Sequence, residues 1–372
     1  MGARAVLALQ TDSGGRGGVA TVNHWYDRWM DIEDEATPTR VVLRDRAPSG
    51  DYVRHARAWG VDKPHLPLLL PHLHVPQYLA GRRLLAKVQQ RFDAIHIVGA
   101  HVVHGTLAAD RPEPSLVWFC TTLEDERRRV NRFQVAYRRV AYTLSMPWLA
   151  RLENRVLRKA ARVIAMSPHA VSLALAAGVA SDRVVTVPIP IDTAVFKPGR
   201  EERQGILFVG RAGDPRKNFP AVARLMATST AAASEGLDVV SDEDPRSGMD
   251  RATAGLVRWW DYSDGVEQLV ERYQQARVLV LTSIQEGFGL VVFEALACGT
   301  PVVAMRCGGP DAFLQQSGGG YVVDNEAELK DRVEGLLNDP SSCEALGGAG
   351  RIWVEKNMSA AAFLADRSIF AL

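Results

Sequence analysis

Two glutamates separated by seven residues, Glu286 and Glu294, are the first side chains in this sequence whose type and spacing indicate chemistry. The loop after Glu286 contains Gly287 and Gly289 and leads into a short helical stretch. The start of a helix presents free N–H groups and the positive end of the helix dipole, so an anion can bind there. Carboxylates repel such an anion but accept hydrogen bonds from hydroxyl groups. A sugar nucleotide carries a diphosphate and hydroxyls, and it is the ligand that this pattern predicts.

The residues on either side of this loop predict a βαβ unit that would position the two glutamates. Val278–Leu281 is an apolar, β-branched run typical of a strand buried on both faces. A helix is predicted over Leu290–Cys298, with Gly299 placed to stop it, and Val302–Met305 predicts the next strand. The pair of glutamates is therefore predicted at the carboxyl end of a parallel strand, where domains of this type bind ligands.

A cationic loop in the same half of the chain contains Arg211 and Lys217. It follows the apolar run Gly205–Gly210, so both cations are predicted in a strand-to-helix loop. Two cations beside a diphosphate would stabilise the negative charge that develops as a glycosidic bond breaks. The alternative is a solvated loop, because Arg and Lys are usually exposed. The nearby glutamate loop favours the binding interpretation.

The size and composition indicate a globular protein of two domains. The chain has 372 residues, of which 47% are hydrophobic and 23% are charged, and its formal net charge is +1. No apolar run approaches the roughly 20 residues that a membrane helix needs, and the N-terminus becomes polar too soon for a secretory signal. The four cysteines lack metal-ligand spacing, so we expect reduced thiols in a cytoplasmic protein.

The order of the predicted elements indicates an α/β fold with two successive doubly wound domains. The predicted divisions are a first domain over residues 1–190, a linker over 191–203, a second domain over 204–355 and a C-terminal helix within 356–372. Ser359 is the predicted N-cap of that helix. The first domain opens with a strand and a Gly-rich turn ending at Gly18, a pattern that is typical of a ligand-facing loop but also of a simple tight turn.

Longer motifs make a resemblance to one family specific. Phe208–Arg211, Arg216–Asn218 and the stretch Glu286–Ala304 are similar to the donor-binding motifs of retaining glycosyltransferases of family 4, which have the GT-B fold. Cys307–Pro310 and residues 153–198 also resemble that family, and the likeness covers about residues 150 to 350. The resemblance implies two Rossmann-like domains facing across a cleft, with the donor in the second domain and the acceptor in the first. It also implies that the last helix crosses back to the first domain.

The resemblance implies a role for each matching residue. Arg211 and Lys217 would hold the diphosphate and assist catalysis. Glu286 would accept hydroxyls of the transferred sugar, and Glu294 would accept those of the ribose. The other donor contacts that it implies are Gly18, Gly287, Phe288, Gly289, Leu290 and, near the base, Trp260. Transfer in this family resembles a same-face reaction in which the leaving phosphate helps to take the proton, so no protein nucleophile is required. Membership of the GT-B enzymes would also imply that no cofactor and no metal are needed.

Two departures from the family pattern are present. The family places a histidine after the fourth strand of the first domain, whereas Thr121 or Thr122 falls at that place here. His101, one strand away, is a candidate replacement in catalysis, although a lone histidine is more often structural. The cationic loop also has one extra residue between Arg211 and Lys217, which a loop can absorb.

Other polar groups have plainer interpretations. Asp242–Asp244 has the look of an acidic metal motif, but its surroundings predict a loop and we expect no metal there. His96 lies within an apolar strand and is expected in the core.

A basic stretch covers residues 127–162, with eleven Arg or Lys and one acid, Glu153. A pair of helices with solvated Arg faces explains it most simply. A docking surface for an anionic membrane or a lipid-phosphate acceptor is the sharper alternative, because aromatic residues interrupt the run. Nucleic acid is a weaker option, since no base-reading module is recognisable, and we expect no nucleic-acid partner.

Together these features predict a retaining, metal-independent glycosyltransferase. It would move a hexose-type unit from a nucleoside diphosphate sugar to a hydroxyl of a glycan, a lipid-linked acceptor or a small-molecule natural product, and polysaccharide or glycoconjugate biosynthesis is the expected setting. The expected location is the cytoplasm, with the inner face of the cell membrane as an option. A sugar-nucleotide-binding protein without transfer activity and a GT-B epimerase or phosphorylase remain alternatives.

Overall fold

The computed structural model describes residues 4–12, 18–32, 36–44, 92–100, 102–108, 111–130, 136–200, 202–366 and 368–370. The chain divides into two compact units. The first contains residues 1–189 and 364–372, and the second contains residues 190–363. Among the residues described, no helix is long and apolar enough to cross a membrane.

The first unit contains a six-stranded parallel sheet in the order β2-β1-β3-β4-β5-β6. Its elements are β1 Arg4–Asp12, α1 Gly18–Ile32, β2 Ala36–Arg44, β3 Ala94–Gly99, a 3-10 turn Val103–Ala108, β4 Ser115–Phe119, α2 Leu123–Val130, α3 Ala136–Lys159, β5 Arg162–Ala165, α4 Pro168–Ala176, a 3-10 turn Ser181–Arg183 and β6 Val184–Thr186. β3 is buried along its whole length, as its apolar run predicts. The strand order reverses between β1 and β3, which places a crevice at their carboxyl ends.

The second unit contains another six-stranded parallel sheet, in the order β12-β11-β10-β7-β8-β9. Its elements are β7 Ile206–Val209, a 3-10 turn Pro215–Lys217, α5 Phe219–Thr228, α6 Thr230–Glu235, β8 Leu237–Ser241, a 3-10 turn Pro245–Gly248, α7 Arg251–Ala254, β9 Val257–Asp261, a 3-10 turn Tyr262–Asp264, α8 Val266–Gln275, β10 Val278–Leu281, α9 Leu290–Ala297, β11 Val302–Met305, α10 Asp311–Ser317, β12 Gly320–Val323, α11 Glu326–Asn338 and α12 Pro340–Met358. The last helix, α13 Ala360–Ala365, begins in this unit and ends in the first. Here the strand order reverses between β7 and β10. These two strands therefore frame the crevice of the second unit.

The segment predicted as a linker is packed into the second unit. Arg203 donates hydrogen bonds to the carbonyl oxygens of Cys298, at 2.6 Å, and Ala276, at 3.1 Å. Ile191 pairs with Ser359 through a short parallel bridge. These contacts explain why the boundary between the units falls at Ile189–Pro190.

The C-terminal tail is helical over a shorter span than its sequence predicts. Ser359 interrupts the helical run, and its hydroxyl accepts a hydrogen bond from the backbone of Ala362 at 3.3 Å. The helix then ends at Ala365 because the chain turns to bury Phe370. The Phe370 ring packs edge-on against Trp29, with the ring centres 4.8 Å apart, so the tail belongs to the core of the first unit.

Two expectations about buried polar groups are confirmed. His96 is buried in β3, and its Nδ1 lies 2.9 Å from the hydroxyl of Tyr26. The four cysteines are free, buried thiols.

Glu153, the acid within the basic stretch, is a buried anchor for two loops of the first unit. Its carboxyl oxygens accept hydrogen bonds from the backbone of Val102, at 3.2 Å, and Leu123, at 2.8 Å. These residues follow β3 and β4, so a side chain on α3 holds the loops at the carboxyl ends of both strands. Burial raises the pKa of Glu153 to about 8, and the two backbone hydrogen bonds only partly oppose that rise.

We expect the raised pKa of Glu153 to make the stability of the protein depend on pH. The unfolded chain releases this proton at a lower pH than the folded chain, so the proton's contribution is fully present below about pH 4.5. It is lost progressively as the pH rises to about 8. Chemical denaturation of Glu153→Gln should lack this decline, which for one proton is at most about 1.4 kcal/mol per pH unit. The same substitution at exposed Glu344 should leave it in place, and equal slopes in the wild type and Glu153→Gln would contradict the assignment.

Candidate active site

Lys217 and Glu286 meet at the point where the strand order of the second unit reverses. Lys217 lies in the loop after β7 and Glu286 in the loop after β10, and these strands are hydrogen-bonded neighbours. The Lys217 Nζ atom is 2.6 Å from Glu286 Oε1, and the two side chains are 18% and 12% exposed. The sequence predicted both residues at one site, and the structure brings them into a direct, partly buried ion pair.

Hydrogen bonds between the two loops fix this pair in place. The Ser283 hydroxyl donates to Glu286 Oε1 at 2.6 Å, so the same carboxylate oxygen faces a cation and a hydroxyl donor. The Thr282 hydroxyl donates to the carbonyl oxygen of Lys217 at 2.8 Å. Asn218, directly after Lys217, has the left-handed φ of 49° that turns the chain into α5. Lys217 is thus fixed by a hydrogen bond to its backbone carbonyl as well as by the ion pair of its side chain.

The glycines around Glu286 allow two backbone segments to approach closely. The backbone nitrogen of Glu286 donates to the carbonyl of Cys307 at 2.9 Å, and that of Gly309 donates to the carbonyl of Glu286 at 3.0 Å. A side chain on Gly309 would overlap the carbonyl group of Gly287. Gly289 has a φ of 80° and is followed by α9, whose first turn has no side-chain cap. The backbone N–H groups at the start of α9, including that of Leu290, therefore have no capping side chain, which suits an anion.

Glu294 lies on α9 in an environment that differs from that of Glu286. The Tyr273 hydroxyl donates to Glu294 Oε2 at 2.8 Å. Burial raises the pKa of Glu294 to about 7, although the hydrogen bond from Tyr273 partly offsets this effect. Phe288, two residues after Glu286, is 4% exposed and packs against Phe293, with the ring centres 4.9 Å apart. The Phe288 side chain thus anchors the loop, and only its backbone amide is a candidate contact.

Arg211 is the more exposed of the two cations. Its guanidinium lies 2.9 Å from Asp214 Oδ2, and its side chain is 58% exposed. Asp214 also accepts hydrogen bonds from Arg216, at 2.8 Å. Burial alone would raise the pKa of Asp214, but the Arg216 and Arg211 guanidinium groups lower it. A cavity of about 300 Å³ adjoins this cluster, and its lining includes Arg211, Gly213, Asp214, Asp242 and Glu243.

Trp260 has partners that its sequence position does not predict. Its indole nitrogen donates to Asp238 at 2.8 Å, and the Arg272 guanidinium stacks over its ring at 4.1 Å. Asp238 also binds Arg258 through both carboxylate oxygens. Trp260 is therefore part of a polar cluster that joins β8, β9 and α8, and a contact with the base remains a prediction.

The structure describes some, but not all, of the candidate residues of the first unit. Gly18 is the first residue of α1, whereas His101 lies outside the described residues. Thr121 and Thr122 are both buried. Thr122 caps α2 by accepting a hydrogen bond from the backbone of Asp125 at 3.2 Å, and Thr121 donates to the Asp125 carboxylate at the same distance.

The acidic run after β8 is used for local structure. Asp244 caps the following turn by accepting a hydrogen bond from the backbone of Arg246 at 3.0 Å, and it pairs with the Arg246 side chain. Among the residues that the structure describes, no group of three or more His, Cys, Asp or Glu side chains is arranged to hold a metal ion.

Sequence reasoning missed three side chains that support the site. Ser283 and Tyr273 hold the two glutamates, and Asp214 holds Arg211. Ser283 is three residues before Glu286 and Asp214 is three after Arg211, so each short spacing carried a signal. Tyr273 is 21 residues from Glu294 in sequence, and no local pattern connects them.

Comparison with known protein families accounts for both units. Residues 16–190 match the family described as "Glycosyl transferase 4-like domain". Residues 203–339 match the one described as "Glycosyl transferases group 1". The chain belongs to the family 4 glycosyltransferases. The resemblance to this family that was drawn from the sequence motifs is thus confirmed.

Individual relatives agree with that family. D-inositol 3-phosphate glycosyltransferase of Acidothermus cellulolyticus is 31% identical over 199 residues, which is 46% of this chain and 44% of the relative. The chain spans about half the length of the curated relatives that it matches.

Solved structures confirm the GT-B fold. Sucrose-phosphate synthase of Thermosynechococcus elongatus aligns with a TM-score of 0.69 and 19% identity over 97% of this chain and 96% of that one. HepE of Anabaena, crystallised with UDP-glucose, aligns with a TM-score of 0.65 and 15% identity over 97% of both chains. At these identities the likeness establishes the fold.

Proposed function

We propose that this glycosyltransferase moves a hexose-type unit from a nucleoside diphosphate sugar to an acceptor hydroxyl, with retention at the anomeric carbon and without a metal. The observation that carries the proposal is the Lys217–Glu286 pair at the switch point between β7 and β10, next to the uncapped start of α9. This arrangement offers a cation and backbone N–H groups to phosphate, and a carboxylate to sugar hydroxyls.

The charged side chains of the second unit support separate roles in binding the phosphates, the ribose and the sugar of the donor. Lys217 and Arg211 supply positive charge for a departing diphosphate, which is the role that a metal ion plays in other enzymes. Glu294 lies on α9, and we assign it to the ribose hydroxyls of the donor. The Glu286 carboxylate is engaged by Lys217 and Ser283, which favours a hydroxyl-binding role over a covalent nucleophile. Retention then follows from same-face attack, in which the leaving phosphate takes the acceptor's proton.

UDP-glucose is the first donor to test, because HepE of Anabaena was crystallised with it. The enzyme is incubated with radiolabelled UDP-glucose or GDP-mannose and a panel of acceptors that includes D-inositol 3-phosphate, the acceptor named for the Acidothermus relative. We expect a glycosylated product whose anomeric configuration, read by NMR, matches that of the donor, and transfer that persists in EDTA. Donor binding without transfer or donor hydrolysis would instead indicate a sugar-nucleotide-binding protein.

The exposed face of α3 supports a peripheral membrane contact. Val140 and Leu144 are 57% and 76% exposed, and Arg151 and Arg155 continue the same face of the helix in its later turns. Apolar side chains beside cations match the boundary between lipid headgroups and acyl chains. We propose that this face binds anionic membranes.

Vesicle binding tests this membrane contact. The protein should sediment with vesicles of phosphatidylcholine and phosphatidylglycerol at about 50 mM NaCl, and far less at about 500 mM, because salt screens the cations. Leu144→Asp should lower the partition coefficient about 10-fold, since it removes an exposed apolar side chain. Ile352→Asp is the matched control on the second unit, where Ile352 is 68% exposed. An equal fall of the partition coefficient in both variants, or no sedimentation at low salt, would contradict membrane binding by α3. The exposed face of α3 would then be a solvated surface.

A further inference from the structure

Three polar side chains converge at the carboxyl edge of the first unit's sheet. His169 Nε2 lies 3.0 Å from Asp125 Oδ2, and the Thr121 hydroxyl donates to the same oxygen at 3.2 Å. His169 follows β5, whereas Thr121 and Asp125 follow β4, and these strands are parallel neighbours. The loop after β4 has no histidine of its own. The imidazole of His169, which follows the neighbouring strand β5, reaches it.

The backbone around His169 fixes where the ring lies. Ser167 caps α4 by accepting a hydrogen bond from the backbone of Ala170 at 3.1 Å, and Pro168 occupies the first turn. His169 is therefore in the first turn of a helix whose start is well defined. Its side chain is 24% exposed and that of Asp125 is 16% exposed, so both are partly accessible to solvent.

The contact with Asp125 determines what His169 presents to a ligand. A carboxylate only accepts hydrogen bonds, so Nε2 carries the proton that points at Asp125. In the neutral ring, Nδ1 is then the acceptor atom, and it has no partner among the described residues. An oriented, half-buried nitrogen acceptor matches an O–H donor, which sugars and other polyols supply.

We propose that His169 is an acceptor-specificity residue: its Nδ1 accepts a hydrogen bond from a hydroxyl of the acceptor that does not react, and Asp125 positions the ring. The acceptor is then a polyol or sugar with at least two hydroxyls, bound at the carboxyl ends of β4 and β5. This inference rests on the proposed function, because it assigns the second substrate of the same reaction.

Two isosteric substitutions separate this role from a structural one. His169→Asn places an amide oxygen near the position of Nδ1, so it keeps the acceptor atom and loses the contact with Asp125. His169→Gln places an amide nitrogen near the position of Nε2, so it keeps the contact with Asp125 and loses the acceptor atom. If His169 binds the acceptor, Asn should retain more transfer than Gln. If His169 only supports the fold, Gln should retain more than Asn.

The assay compares transfer of the sugar to an acceptor with hydrolysis of the same sugar donor by water. UDP-glucose and GDP-mannose are supplied with D-inositol 3-phosphate, methyl α-mannoside or methyl α-glucoside, and nucleotide release in water alone is the reference. We expect His169→Gln to lower kcat/KM for transfer roughly 10- to 100-fold while donor hydrolysis stays within about 2-fold of the wild type. The same two substitutions at His24, an exposed histidine of the same unit, should change neither rate.

Each other outcome overturns a specific statement. Equal transfer by the wild type and His169→Gln overturns the assignment of His169, as does a better result for Gln than for Asn. Donor hydrolysis by the wild type without transfer to any polyol overturns the acceptor class while leaving the donor site intact. Neither hydrolysis nor transfer by the wild type overturns the proposed function, and this inference with it.

Discussion

Glu286→Gln is expected to lower kcat/KM for sugar transfer by roughly 10²- to 10³-fold, the size of effect seen when one charged or polar group is removed from a site of developing charge. Glutamine has nearly the shape of glutamate, but its amide lacks the charge that pairs with Lys217. Its NH2 group can also face the sugar hydroxyls, where it donates hydrogen bonds and does not accept them. The affinity for UDP should change by less than about 3-fold, because Glu286 is assigned to the sugar and not to the nucleotide. Steady-state kinetics and calorimetric titration with UDP measure the two quantities.

A matched control for this substitution exists in the same unit. Glu326 pairs with Arg224 at 2.6 Å, but both side chains are exposed, at 42% and 55%. Glu326→Gln therefore removes an ion pair of the same length from the surface, where such a pair contributes little. Its kinetics should match those of the wild type. A loss of UDP affinity as large as the loss of transfer in Glu286→Gln would assign the glutamate to the nucleotide instead.

Gly309→Ala is expected to abolish donor binding, although the added group is a single methyl. That methyl would overlap the carbonyl group of Gly287 and lie 2.7 Å from the backbone nitrogen of Phe288. Backbone atoms cannot rotate away as a side chain can, so the loop from Glu286 to Gly289 must shift. Displacing the loop misaligns the backbone N–H groups at the start of α9, and we expect transfer to fall at least about 100-fold. Overpacking of this kind also costs about 1–3 kcal/mol of stability.

The control for this glycine is Gly248, also in the second unit. A methyl group at Gly248 would have no neighbour within 4 Å, so Gly248→Ala should leave kinetics and melting temperature unchanged. Thermal shift in the presence of UDP-glucose measures donor binding for both variants. A Gly309→Ala enzyme that binds the donor normally would show that the two backbone segments can separate without cost to the site.

The amino-acid sequence was sufficient to predict the elements that carry Glu286 and Glu294. Val278–Leu281 forms β10, and the helix predicted over Leu290–Cys298 is α9, which ends at Ala297. Both patterns are local, because burial on both faces selects an apolar run and a glycine past the helix end stops it. The order of strands and helices along the chain was also sufficient to predict two doubly wound α/β domains, since parallel connections leave few topologies. The GT-B fold was implied by the family resemblance.

Only the tertiary structure decided which side chains touch at the site. Lys217 and Glu286 are 69 residues apart, and their contact depends on the pairing of β7 with β10. Tyr273 reaches Glu294 because α8 and α9 pack side by side. Motif spacing indicated that these loops share one sheet edge, but an ion pair of 2.6 Å requires the register of two strands, which local sequence does not specify.

In the first unit, the difference between what the sequence predicted and what the tertiary structure decided is larger. The sequence by itself determined that Thr121 and Thr122 stand where the family has a histidine, and it directed attention to His101. His101 lies outside the described residues, and the structure brings His169, which follows the neighbouring strand β5, to the Asp125 carboxylate. Local sequence determines which residues end each strand, whereas the pairing of strands determines which of those ends become neighbours. The contact between His169 and Asp125 depends on that pairing.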